Sequence, residues 1–197
     1  MFYPVDAAGC CFFALLVVLV RVEVCNFLLR NATNELMTEP QQALWEELKH
    51  FRLDEPGVPL PFSARLAREN NWKLHYALRA VHEYRRFIFL ACEAGHPVTP
   101  SVVVDQVWHL HLVYTQSYWK DLCGNLLGKE IHHGPTPGGQ EAQGNYRSLY
   151  QQTLDSYERL FAQVPPADIW PSVEQRFASF DLQWVDRARY WVLRKWW

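Results

Sequence analysis

Asp105, His109, His111, His132 and His133 are the residues of this chain whose types and spacing could do chemistry. They fall in Val104-Asp105-Gln106-Val107-Trp108-His109-Leu110-His111 and in the turn His132-His133-Gly134-Pro135-Thr136, which together hold four of the eight histidines. Imidazole titrates near neutral pH and ligates metals, and the large apolar side chains around these positions would keep water from them. On a helix of 3.6 residues per turn, His109 and His111 point about 200° apart, so a regular helix cannot aim both at one ion. Asp105 and His109, one turn apart, share a face. A loop histidine, His132 or His133, could close on either face and complete an Asp/His/His set with a position open for water or substrate.

Three chemistries stay open on these residues. A divalent metal such as zinc could sit among Asp105, His109 or His111, and one of His132 and His133. Without a metal, Asp105 would fix the tautomer of His109, which would act as a general base. In the structural alternative Asp105 pairs with Arg85 or Arg86, His111 is a hydrogen-bonded core residue, and His132 and His133 brace their loop.

The elements that must position these groups read as helices between proline turns, one mainly α-helical domain of about five helices with an irregular C-terminal segment. Thr38-Glu39-Pro40-Gln41 is a capping signal ahead of Leu44, Leu48 and Phe51 and predicts a helix over about 39–53. The prolines of Asp54-Glu55-Pro56-Gly57-Val58-Pro59-Leu60-Pro61 then impose a loop. Ser63 is placed to cap a short helix to Glu69, Asn70-Asn71 breaks it, and a longer helix runs from Trp72 to Ala94, closed by Gly95 and Pro97. Its second half is apolar nearly all round except for Arg85 and Arg86, so it should be central, with Glu83 and Asp105 as candidate charge partners for the two arginines.

Thr99-Pro100-Ser101 starts the helix that carries Asp105 and its histidines and runs to about Leu122, although Val102-Val103-Val104 locally favours a strand. Gly124 to Gly139 is a loop. Tyr146, Tyr150, Thr153, Tyr157 and Phe161 mark one face of a further helix, ended by Val164-Pro165-Pro166. From Asp168-Ile169-Trp170-Pro171 onward the pattern is irregular, and Trp184-Val185 and Tyr190-Trp191-Val192-Leu193 suit short strands or further helix equally.

Composition narrows the function classes. The 197 residues are 49% apolar and 20% charged, ordinary for a globular protein. With 19 basic and 21 acidic residues there is no global cationic field, and no nucleic acid partner is expected. The five cysteines are odd in number and lack a C-x-x-C pair, which points to free buried thiols in a reducing compartment.

Residues 1–36 stand apart from the expected main domain at 37–185 and from a basic, aromatic tail at 186–197. The uninterrupted apolar run Ala7–Val20 reaches roughly 20 Å at about 1.5 Å per residue, against a bilayer core of about 30 Å. A spanning helix would have to extend over 7–29 and place Arg21, Glu23 and Arg30 near an interface, leaving the main domain cytoplasmic. The competing readings are a packed helix or a start at Met37, with a cytoplasmic protein either way.

Other motifs carry less. His82-Glu83-Tyr84-Arg85-Arg86 begins like a zinc-protease H-E-x-x-H but has arginine at the second histidine. His75 and His82 share a helix face with Arg79 and Arg86, which suits a salt-bridged stripe better than a ligand pair. Gly138-Gly139 lacks the remaining features of a phosphate loop, and there is no G-x-S-x-G elbow.

Pro97-Val98-Thr99-Pro100-Ser101, Val104-Asp105-Gln106-Val107-Trp108-His109-Leu110-His111, Ser117-Tyr118-Trp119, His132-His133-Gly134-Pro135-Thr136 and Asp168-Ile169-Trp170-Pro171 resemble the bacterial branch of the glycine-rich domain-containing protein family. The resemblance covers about residues 40 to 185. It implies membrane association, common among members, but no reaction. In the plant branch the matching turn keeps a histidine at the place of His133, which favours His133 over His132. This chain departs from the family in lacking a glycine-rich tail and in carrying its apolar segment at the N-terminus. Two functions are therefore expected: a helical interaction module with a protein partner, membrane-tethered through 7–29 and with structural histidines; or a metal-binding protein or metal-dependent hydrolase.

Overall fold

The structure, a computed structural model, describes residues 37–134 and 140–178. The N-terminal apolar segment, the Pro135 to Gly139 part of the loop, Trp184-Val185, Tyr190 to Leu193 and the basic tail lie outside the described residues. Among the described residues the fold is all helical, as the sequence predicts. Six α-helices, α1 (Glu39–His50), α2 (Phe62–Glu69), α3 (Leu74–Glu93), α4 (Val102–Val113), α5 (Gln140–Phe161) and the short α6 (Val173–Arg176), are joined by one π-helix, Gln116–Leu127. None of these helices is long and apolar enough to cross a membrane.

Local chemistry explains most boundaries. Gln41 Oε1 accepts the Thr38 N–H at 3.0 Å, which settles the start of α1. The helix stops at His50, three residues earlier than its apolar pattern suggests, because the Phe51 backbone is extended and its carbonyl is taken by Arg85 from α3. Ser63 does not cap α2. It sits inside the first turn, and Asp54, reaching over from the proline loop, accepts both the Ser63 N–H and its hydroxyl at 2.7 Å. Asn71 turns the chain between α2 and α3 with a φ of 54°, a conformation asparagine tolerates better than most residues.

Helix α3 is the hub. It packs against α1, α2, α4 and α5, and Tyr84, Phe87, Ile88, Phe89 and Leu90 are at most 1% exposed. Burying five such side chains contributes roughly 1.5–3 kcal/mol each relative to exposure, which is why the half that is apolar all round takes the centre. On the face of α5 read from Tyr146, Tyr150, Thr153, Tyr157 and Phe161, all but the half-buried Tyr146 are buried.

The largest departure from expectation lies after α4. A single helix to Leu122 is predicted, but the α-helix ends at Tyr114, whose ψ of 62° leaves the helical region, and the chain resumes as a π-helix. Tyr114 is held out of the helix by its own contacts: its hydroxyl accepts from Arg65 Nε at 3.0 Å and its ring meets Phe62 edge-on. The π-helix closes at Gly128, where a φ of 62° lets the Lys129 N–H reach back to the Cys123 carbonyl at 3.1 Å.

Candidate metal centre

Asp105 lies in the first turn of α4, set by Ser101, whose hydroxyl accepts the Val104 N–H at 3.2 Å. One turn on, His109 Nε2 stands 3.7 Å from Asp105 Oδ2. His133 arrives from the loop after the π-helix and places Nε2 2.7 Å from Asp105 Oδ1. The ligand atoms of Asp105, His109 and His133 all lie within 4.8 Å of one another. Zinc holds nitrogen and carboxylate oxygen at about 2.0–2.2 Å, so donors around a tetrahedral ion stand roughly 3.3 Å apart. Small side-chain rotations would bring this group to that spacing.

The group is graded from interior to solvent. The side chains of Asp105 and His133 are 26% and 21% exposed, whereas that of His109 is 51% exposed. His133 is fixed from behind by Trp108, ring centroids 4.4 Å apart, and faces His109 at 4.6 Å. A hydrogen-bond chain locks that backing. Trp108 Nε1–H donates to the Tyr118 hydroxyl at 2.9 Å, and Tyr118 donates to the Ile131 carbonyl, two residues before His133. Burial raises the Tyr118 pKa above the ordinary phenol range, so the hydroxyl stays a donor. The π-helix is what brings Tyr118 to both partners, in keeping with the habit of π-turns to occur at functional sites.

The other candidates go elsewhere. His111 is fully buried, with Nδ1 2.8 Å from the Tyr84 hydroxyl and Nε2 3.1 Å from Ser117 Oγ, and both nitrogens are thereby occupied away from the group. His132 is exposed and pairs with Glu130 at 3.0 Å. Neither arginine reaches Asp105. Arg86 Nη1 lies 3.6 Å from Glu83 Oε1, the expected partner, but Arg85 donates instead to the Phe51 carbonyl at 2.9 Å. The chain's turn at Phe51 offers Arg85 an acceptor that no residue pattern on α3 could reveal. Cys92 and Cys123 are free.

Burial pushes the pKa of His111 down to about 3, and burial together with Arg86, Arg85 and Lys49 pushes His82 down to about 4. The unfolded chain protonates these rings near 6.5. Their stabilising effect is therefore complete above that value and is lost as pH falls towards the folded values. For His111 the expected loss is on the order of 3 kcal/mol between about pH 7 and about pH 4. Urea midpoints across that range check this, and His111→Gln should flatten the curve; an unchanged slope in the variant would contradict the assignment.

No protein family, curated protein or solved structure matches this chain.

Proposed function

We propose that Asp105, His109 and His133 bind one divalent metal ion, and that the ion is zinc, the common choice for two imidazoles and a carboxylate. The observation that carries this reading is the convergence of one helix-borne pair and one loop residue, all ligand atoms within 4.8 Å. A bound zinc with three protein ligands acidifies a water in its remaining position, which makes a metal-dependent hydrolase the enzyme class this group suits. Asp105 supplies the charge and orients both imidazoles, His109 faces the solvent side, and His133 ties the loop to α4. The resemblance of the His132 to Thr136 turn, which singles out His133, supports the same choice of loop ligand. A second reading, a helical interaction module with a protein partner and structural histidines, draws its support from the core position of His111.

The test is elemental mass spectrometry on the full chain, produced without an affinity tag and dialysed against zinc. About one zinc per chain is expected. Folded protein that retains only trace metal overturns the proposal.

Tyr118→Phe keeps all three ligands but breaks the chain from Trp108 to the Ile131 carbonyl. Outer partners of metal ligands are typically worth 10–100-fold in affinity. Zinc affinity is expected to fall about 10-fold, read by competition with a chromogenic chelator; an unchanged affinity would remove Tyr118 from the positioning of His133.

A further inference from the structure

Residues 129–134 form a strap that leaves the π-helix at Gly128 and has no regular secondary structure of its own. Burial along it alternates. Ile131 and His133 are half-buried, whereas Glu130, His132 and Gly134 are exposed, the two-residue period of an extended chain lying on a surface. At its start the strap is tied to the body twice, through the Lys129 N–H to the Cys123 carbonyl at 3.1 Å and Lys129 Nζ to the Cys92 carbonyl at 3.2 Å. Next, the Ile131 carbonyl accepts from Tyr118. His132 pairs within the strap, with Glu130. Among the described residues, the polar link between α4 and the strap beyond Ile131 is the contact of His133 with Asp105, between side chains 21% and 26% exposed. Water competes for a contact so placed, and by itself it is a weak fastener.

An ion held by Asp105, His109 and His133 changes that balance. Two of these ligands sit one turn apart on α4 and the third on the strap, so opening the strap leaves the ion with two. Losing a direct ligand lowers affinity by at least about 100-fold, beyond the 10–100-fold of outer partners. Linkage is reciprocal. Whatever factor the closed strap adds to zinc affinity, bound zinc adds to the closure of the strap.

We propose that zinc regulates this strap: the ion clasps residues 129–134 to α4, and the fraction of chains with the strap open rises as zinc is withdrawn. The clasp rests on the metal centre proposed above. It makes the backbone around Lys129 the part of the fold whose local stability follows the zinc concentration, because the one strap ligand lies four residues further on.

Trypsin reads the clasp. Lys129 is exposed, and no other lysine or arginine lies between Lys120, inside the π-helix, and Arg147 in α5. Cutting after Lys129 requires the residues that follow it to be released, His133 among them, and when opening is faster than cleavage the rate tracks the open fraction. In the full chain, cleavage after Lys129, followed by mass spectrometry of the fragments, should be at least about 10-fold slower in excess zinc than in excess chelator. Magnesium should give no slowing. Hydrolysis of a small chromogenic substrate corrects for any effect of zinc on trypsin itself. His109→Ala, at a half-exposed position, keeps the contact of His133 with Asp105 but removes a ligand from α4. Its cleavage without zinc should match the unaltered chain, and its response to the same zinc concentration should disappear. Zinc content measured on the same samples separates the outcomes. About one zinc per chain with unchanged cleavage overturns the clasp and leaves the metal centre standing, whereas folded protein without bound zinc overturns both. Slowing that magnesium reproduces, or that persists in His109→Ala, overturns the clasp as well.

Discussion

Replacing His133 by alanine is expected to abolish zinc retention, with affinity falling by at least about 100-fold, because a direct ligand is worth more than the outer partners that account for 10–100-fold. Asp105→Ala should do at least as much. Its carboxylate contacts both imidazoles, at 2.7 and 3.7 Å, so the substitution removes a ligand, the negative charge and the orientation of the two remaining ligands. Asp105→Asn keeps the shape and a carbonyl oxygen and should lose less. Two controls sharpen the result. His132→Ala, at an exposed residue paired with Glu130, should leave zinc bound. His111→Gln should destabilise the fold yet keep the metal, since both ring nitrogens of His111 are engaged inside the core. The measurement is chelator competition beside urea unfolding for each variant. Zinc retained by His133→Ala, or lost in His132→Ala alone, would reassign the loop ligand.

The pattern of these variants follows a distinction that was partly legible in the sequence. The helical repeat places His109 and His111 on opposite faces, and the structure makes one half-exposed and the other fully buried. Pairing of Asp105 with His109 follows from one helical turn. The approach of His133 does not, because it depends on how a 28-residue separation is closed, and that closure runs through a π-helix. Nothing in Gln116–Leu127 announces π-geometry locally; it arises from tertiary contacts of Tyr114 with Arg65 and Phe62 and of Tyr118 with Trp108 and Ile131. The same limit explains the other differences. The capping signal at Thr38 is read correctly because donor and acceptor are three residues apart, whereas the helix after Thr99-Pro100-Ser101 is capped by Ser101 and not by the threonine ahead of the proline. The capping of α2 by Asp54 and the capture of Arg85 by the Phe51 carbonyl come from distant segments, invisible to any local rule.

Glu83→Ala is expected to destabilise the fold by about 3–5 kcal/mol, the range seen when one member of a buried charged network is removed. The apolar second half of α3 predicts that its charged residues need partners, and Glu83 collects more of them than its position suggests. It accepts from Tyr157 on α5 and from Trp170 in the segment before α6, and stands beside Arg86. Alanine would leave a buried hydroxyl and indole N–H without an acceptor and the Arg86 charge without its anion. Three elements lose a common tie. Glu83→Gln keeps the volume and one acceptor but turns an amide N–H₂ towards existing donors, so it should lose less than alanine and still more than a surface change. Asp168→Ala is the contrasting control, since its pairing with Arg79 lies in solvent and should scarcely move the unfolding midpoint. Urea unfolding at neutral pH decides the matter. A loss below about 1 kcal/mol for Glu83→Ala would mean that water replaces the carboxylate, and that the segment around Trp170 is held by ring packing on Tyr150 and Tyr157 instead.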